Sequence, residues 1–181
     1  MHKTAAIAEN LQPSGAMPIQ LFDFTKDVAV QAWSPINDGV MGGISQSSLR
    51  QDLAGFAVFE GIVSLENNGG FASVRSLPLD LGAPGARSYV LDVLGDGKRY
   101  KLNLRTDNSF DGVNYQVGFH PPASCWTEIR LAVADFLPSY RGRQVPDAPP
   151  LDPAKVRQIG LMIADRQAGP FALKLRSIRA E

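Results

Sequence analysis

An all-β fold, a two-sheet sandwich or a barrel, is what this sequence predicts, from three observations. Apolar residues recur at every second position in run after run, the period of a strand with one buried face. The runs are short, about eight or nine of them, and Gly-, Pro-, Asn- and Asp-containing turn signals separate them at roughly regular spacing. No stretch holds helical periodicity long enough for the crossover of a parallel βαβ unit.

Residues 1–17 carry Gln12-Pro13-Ser14-Gly15 and little periodicity, so a flexible tail is expected there and a single domain over residues 18–181. Leu21-Phe22-Asp23-Phe24 reads as the first strand, and residues 27–32 as a strand or a short turn. Two glycine-containing stretches then set the chain path: Trp33 to Ser45, with Asn37-Asp38-Gly39 and Gly42-Gly43, and the Asn67-Asn68-Gly69-Gly70 turn. Asparagine and glycine tolerate positive φ, and glycine lets one backbone approach another closely. Between them Ala57, Phe59, Gly61, Val63 and Leu65 share one face of a strand, and residues 71–75 resume extended structure as its hairpin or corner partner.

Residues 89–94 and 99–107 flank Gly95-Asp96-Gly97, which predicts a tight hairpin. In the second arm Tyr100, Leu102 and Leu104 face the core while Lys101, Asn103 and Arg105 face away. Val113, Tyr115, Val117 and Phe119 repeat the pattern against Asn114, Gln116 and His120, with residues 108–112 as the turn. Cys125, Thr127, Ile129, Leu131 and Val133 alternate next. Asp152-Pro153 predicts a brief helical turn before Ile159, Leu161 and Ile163, and Phe171, Leu173 and Leu175 make the last strand.

Composition narrows the partners. Eighteen Lys and Arg balance eighteen Asp and Glu over 181 residues, so the cationic surplus of a dedicated nucleic-acid binder is missing. Residues 1–10 have neither the apolar core of a signal peptide nor the arginine content of a transit peptide, and no run is long enough to span a membrane. A bacterial-type cytoplasmic protein that is not integral to a membrane is expected.

Three blocks carry a resemblance: Trp33 with residues 37–45, residues 67–75 from Asn67 to Arg75, and residues 95–100 from Gly95 to Tyr100. In that order they look like signature blocks of the complex I intermediate-associated protein 30 family, and the likeness extends through Tyr115, residues 136–143 and residues 160–171. The resemblance implies a galactose-binding-like jelly-roll sandwich. It also implies a non-enzymatic role, since mitochondrial members assist assembly of respiratory NADH:ubiquinone oxidoreductase. The partner would then be a protein client, such as a subunit of a respiratory or membrane complex, met by an assembly factor or chaperone.

Lys101, Asn103, Arg105, Asn114, Gln116 and His120 are the candidate binding set, because adjacent antiparallel strands place them on one sheet face. Arg75 joins them if its strand is near. Such a face can bind a client, a carbohydrate or another small ligand, or be plain solvated surface. Trp126 can stack on a sugar or a partner, or pack under a loop. Trp33, Asn37, Asp38, Gly42, Gly43, Asn68, Gly69 and Gly70 read as a structural signature, although Asn37-Asp38 also has the chemistry to hold a polyol or a cation. Cys125 reads as an inert core thiol.

Enzymatic chemistry finds little support. With one cysteine, and His120 the sole histidine outside the tail, no metal cluster of Cys and His is available. There is no Gly-x-Ser-x-Gly elbow, and neither glycine loop runs into a lysine and a helix. Asp107 and Asp111 could hold calcium or simply be solvated. No catalytic residue, metal or cofactor is expected.

Overall fold

The computed structural model describes residues 17–181; the expected tail falls almost wholly on residues 1–16, outside the described residues. In chain order the strands are Ile19–Asp23 (β1), Trp33–Pro35 (β2), Gln46–Asp52 (β3), Phe56–Val63 (β4), Ala72–Ser76 (β5), Ser88–Leu94 (β6), Tyr100–Arg105 (β7), Asn114–Phe119 (β8), Thr127–Ala132 (β9), Leu137–Tyr140 (β10), Arg143–Gln144 (β11), Gln158–Ile163 (β12) and Gly169–Ala180 (β13). All described pairings are antiparallel. One sheet runs β3-β4-β13-β6-β9, with β1 also on β13, and the other runs β11-β10-β8-β7-β12-β5-β2. The fold is a jelly-roll β-sandwich, and the only helical pieces described are 3-10 turns of three to six residues.

Alternation builds the core between the sheets. Tyr100, Leu102 and Leu104 of β7, Ile159, Leu161 and Ile163 of β12, and Phe171, Leu173 and Leu175 of β13 are almost wholly buried. Phe59 and Phe171 of one sheet meet edge to face at 4.9 Å, and Tyr100 of the other sheet lies 6.2 Å and 6.4 Å from them. Such aromatic pairs add to the stabilisation from burial alone. A second aromatic group, Phe22, Phe24 and Trp33, joins β1 of one sheet to β2 of the other.

β13 is the longest strand. Its first part pairs with β4 and its last with β1 along one edge, and from Lys174 onward it pairs with β6 along the other.

The structure chooses between some alternatives and changes other expectations. Residues 27–32 are a 3-10 turn. β4 and β5 lie in different sheets, so the Asn67–Gly70 bend is a corner between layers. The hairpin expected across Gly95-Asp96-Gly97 is also a crossing between sheets, since β6 and β7 belong to different ones. There Asp96 accepts from the Ala172 amide with one oxygen and the Lys98 amide with the other, and a Cβ on Gly95 would sit 2.5 Å from the Pro121 carbonyl oxygen. The Asp-Gly chemistry reverses the chain, but partners outside the turn decide which sheet receives it. Cys125 is exposed and precedes β9, which begins two residues later. The short strands β2, β10 and β11 and the polar edge strand β3 supply the pairings beyond the expected number.

Candidate functional site: the polar face of the seven-stranded sheet

Because β7 and β12 bury their apolar positions inward, their intervening positions point away from the core, and sheet register sets who meets whom. Asn103 is opposite Gln116 of β8 on one side and Gly160 of β12 on the other. Gly160 in turn is opposite Arg75 of β5. Arg75 is thus two strands from Asn103 with no side chain between them. Lys101 sits beside Met162, its Nζ 3.0 Å from Asp165, and Arg105 sits beside Gln158. Asn114 is in register with Ser139 of β10.

The face is not uniformly open. The connection from β7 to β8, residues 106–113, folds back across it, and the sheet donates to the carbonyls of that loop. Arg75 Nη2 and Arg105 Nη1 both donate to the Phe110 carbonyl at 3.0 Å, and Gln158 Nε2 donates to the carbonyls of Asp107 and Ser109 at 2.9 and 3.2 Å. The Arg75 guanidinium also lies 5.0 Å from the centre of the Phe110 ring. Arg105, expected as an exposed binding group, is 5% exposed as a result.

Electrostatics follow from that cover. Burial and then the neighbouring Arg105 charge draw the Arg75 guanidinium below its usual value, with Asp107 and Asp111 opposing. Arg105 Nη2 has Asp107 as its counter-charge at 3.6 Å. Asp107 itself is raised by burial but held lower on balance by the Ser109 hydroxyl and amide and by Arg105. Two polar atoms here have no partner: Arg105 Nε and Asn103 Oδ1. Buried polar atoms are normally paired, so these two stand out.

The remaining candidates separate from this group. His120 lies just past β8, its Nε2 donating to the Gly97 carbonyl at 3.0 Å. Trp126 lies just before β9 and packs on the other sheet, edge to face with Phe56 at 5.4 Å and under the Arg176 guanidinium at 4.0 Å. Sequence reasoning missed Phe110, Gln158 and Gly160. An aromatic residue inside a turn between two polar strands was the available signal for the first; the other two depend on strand order.

Asn37 and Asp38 tie the two glycine stretches together. Asp38 is fully buried, and its carboxylate accepts from the Ser45 amide at 3.0 Å, the Ser45 hydroxyl at 2.6 Å and the Gly70 amide at 2.9 Å. Burial would raise this carboxyl, but hydrogen bonds from Ser45, Gly70 and Phe71 outweigh it and hold the group below its usual value. Asn37 Oδ1 accepts from the Ser47 hydroxyl and the Ser73 amide. A Cβ on Gly43 would lie 2.3 Å from Asp38 Oδ1, and one on Gly69 2.6 Å from Oδ2, so glycine is required at both by close approach. Gly42 takes φ +86° and caps the 3-10 turn Asp38–Met41, while Asn68 takes φ 59°.

Among the described residues no group of three or more His, Cys, Asp and Glu is placed to hold a metal ion, and no helix is long and apolar enough to cross a membrane.

Comparison with known proteins adds a family and a shape. The family model described as Complex I intermediate-associated protein 30 matches residues 22–175. An uncharacterized protein of Schizosaccharomyces pombe is 28% identical over 83% of this chain and 78% of its own length. The mitochondrial Complex I intermediate-associated protein 30 of Drosophila melanogaster is 24% identical over 89% of this chain, and that of Mus musculus 30% identical over 47%. This chain spans 62% of the fly protein and 27% of the mouse protein. Among solved structures, the family 11 carbohydrate-binding module of a Clostridium thermocellum cellulase superposes with a TM-score of 0.69 at 16% identity, covering 92% of this chain and 95% of the module. A family 29 carbohydrate-binding module superposes with a TM-score of 0.53 at 11% identity, covering 90% of this chain and 89% of the module. At these identities the likeness is one of fold. The expectation of a bacterial-type cytoplasmic location is corrected by the fly and mouse relatives, whose names place them in mitochondria.

Proposed function

Because the chain belongs to the complex I intermediate-associated protein 30 family, we propose that it is a non-enzymatic module that binds a protein client and helps to assemble or stabilise a larger complex, with respiratory complex I the first candidate. The match over residues 22–175 is the observation that carries this reading. The outer face of the seven-stranded sheet, with Arg75, Lys101, Asn103, Asn114 and Gln116, is the surface assigned to the client, and exposed Phe110 is its aromatic anchor. Aromatic and arginine side chains held in place before binding are the groups that dominate protein interfaces.

Crosslinking in native cells followed by capture of the full chain tests it. A stable protein partner is expected, together with a reduced level of one assembled complex on deletion. Recovery of partner-free protein alone, with every respiratory and membrane complex at its normal level, defeats the proposal.

A second reading is carbohydrate or small-ligand binding on the same face, favoured by the superposition on carbohydrate-binding modules. A glycan panel scored by thermal shift checks it: one glycan should raise the melting temperature in the parent and not in Gln116→Ala.

A further inference from the structure

Two guanidinium groups on the outer face of the seven-stranded sheet close on one neutral atom. Arg75 Nη2 and Arg105 Nη1 each lie 3.0 Å from the carbonyl oxygen of Phe110. Their strands, β5 and β7, are two apart, and the position beside Arg75 on the strand between them is Gly160, which leaves the lane open. A carbonyl carries only a partial charge, whereas guanidinium forks make their strongest bonds with carboxylate and phosphate oxygens. Arg75 is in no ion pair among the described residues, and Arg105 has Asp107 alone, at 3.6 Å. Two charges therefore share one counter-charge. In the same cluster of strands Arg105 Nε has no acceptor and Asn103 Oδ1 has no donor, in residues only 5% and 8% exposed.

We infer that Arg75 and Arg105 form an oxyanion-binding site, for a carboxylate or phosphate group, which the loop of residues 106–113 occupies with its own Phe110 carbonyl until a ligand displaces it. One ligand oxygen takes the place of the carbonyl between Arg75 Nη2 and Arg105 Nη1. Gln158, bonded to the Asp107 and Ser109 carbonyls, holds the near side of the loop, so the tip around Phe110 is the part that lifts. This goes beyond the client-binding reading and does not depend on it, because the site can fill with a free oxyanion whether or not a client exists.

The test uses the full chain with inorganic phosphate and with sodium acetate, against chloride at equal ionic strength, read by thermal shift and calorimetry. A saturable rise in melting temperature with one or both anions is expected. Loss of one charged fork in Arg75→Gln should weaken the apparent affinity about ten-fold or more, with partial recovery in Arg75→Lys. Phe110→Gly, which frees the competing loop tip, should bind more tightly than the parent. A stronger response to phosphate assigns the site to a phosphorylated ligand, and a stronger response to acetate assigns it to a carboxylate such as an acidic side chain. No saturable response to either anion, an undiminished response in Arg75→Gln, or weaker binding in Phe110→Gly overturns the inference.

Discussion

The molecule holds two clusters of polar side chains built from similar residues, and they are satisfied to different degrees. At Asn37 and Asp38 every oxygen that leaves water finds donors, several of them backbone amides, and two glycines make room for the carboxylate. At Arg75, Asn103 and Arg105 the charges outnumber their partners, and two buried atoms have none. A fully paired buried network rigidifies a fold, while a partly paired one remains available to something else. The first cluster stitches the sheets together; the second leaves buried polar atoms unpaired.

The most severe way to break that contrast is Asp38→Ala. It strips the acceptor from the Ser45 amide, the Ser45 hydroxyl and the Gly70 amide at once, and should cost about 3–5 kcal/mol in a urea melt. Acid probes the same group. Since the folded carboxyl is held low, its stabilisation is complete above the unfolded pKa of about 3.9 and fades as pH falls through the still lower folded value. The stability gap between the parent and Asp38→Asn should therefore be flat from neutral pH to about pH 4 and narrow below it; a gap that already closes near pH 6 would contradict this account.

Gly43→Ala comes next. Its methyl must push against the Asp38 carboxylate, at an expected cost of about 1–3 kcal/mol. Arg75→Gln is the smallest. It removes one bond to a carbonyl that Arg105 also serves, and it relieves repulsion between two guanidinium groups, so the change in stability should stay below about 1 kcal/mol. A large loss would place Arg75 with the first cluster.

Much of the sandwich was legible in alternation, because a half-buried strand must alternate: β7 and β8 carry the expected inward and outward residues. The destination of each turn was not. Gly95-Asp96-Gly97 has hairpin chemistry, yet Asp96 finds its partner on Ala172, far along the chain, and the next strand joins the opposite sheet. Polar edge strands such as β3, Gln-Ser-Ser-Leu-Arg-Gln-Asp, have too few apolar positions to register as a pattern. At the candidate site the shared face of Lys101, Asn103 and Gln116 could be read from spacing. The cover over Arg105 could not, since it arises from how residues 106–113 lie across strands brought together from distant parts of the chain. Trp126 shows the same limit: it lies just before β9, and its partners Phe56 and Arg176 come from distant parts of the chain.

Strand β13 has a bearing on biosynthesis. It lies between β4 and β6, which otherwise share no neighbour in their sheet, yet it follows every other strand in chain order. A nascent polypeptide halted before residue 169 holds two half-sheets with nothing to join them. Zippering must wait for translation to pass residue 180, and contacts between segments so far apart make that closing step slow. Until then the edges of β4 and β6 that will receive β13 are open, and unpaired strand edges of this kind favour aggregation.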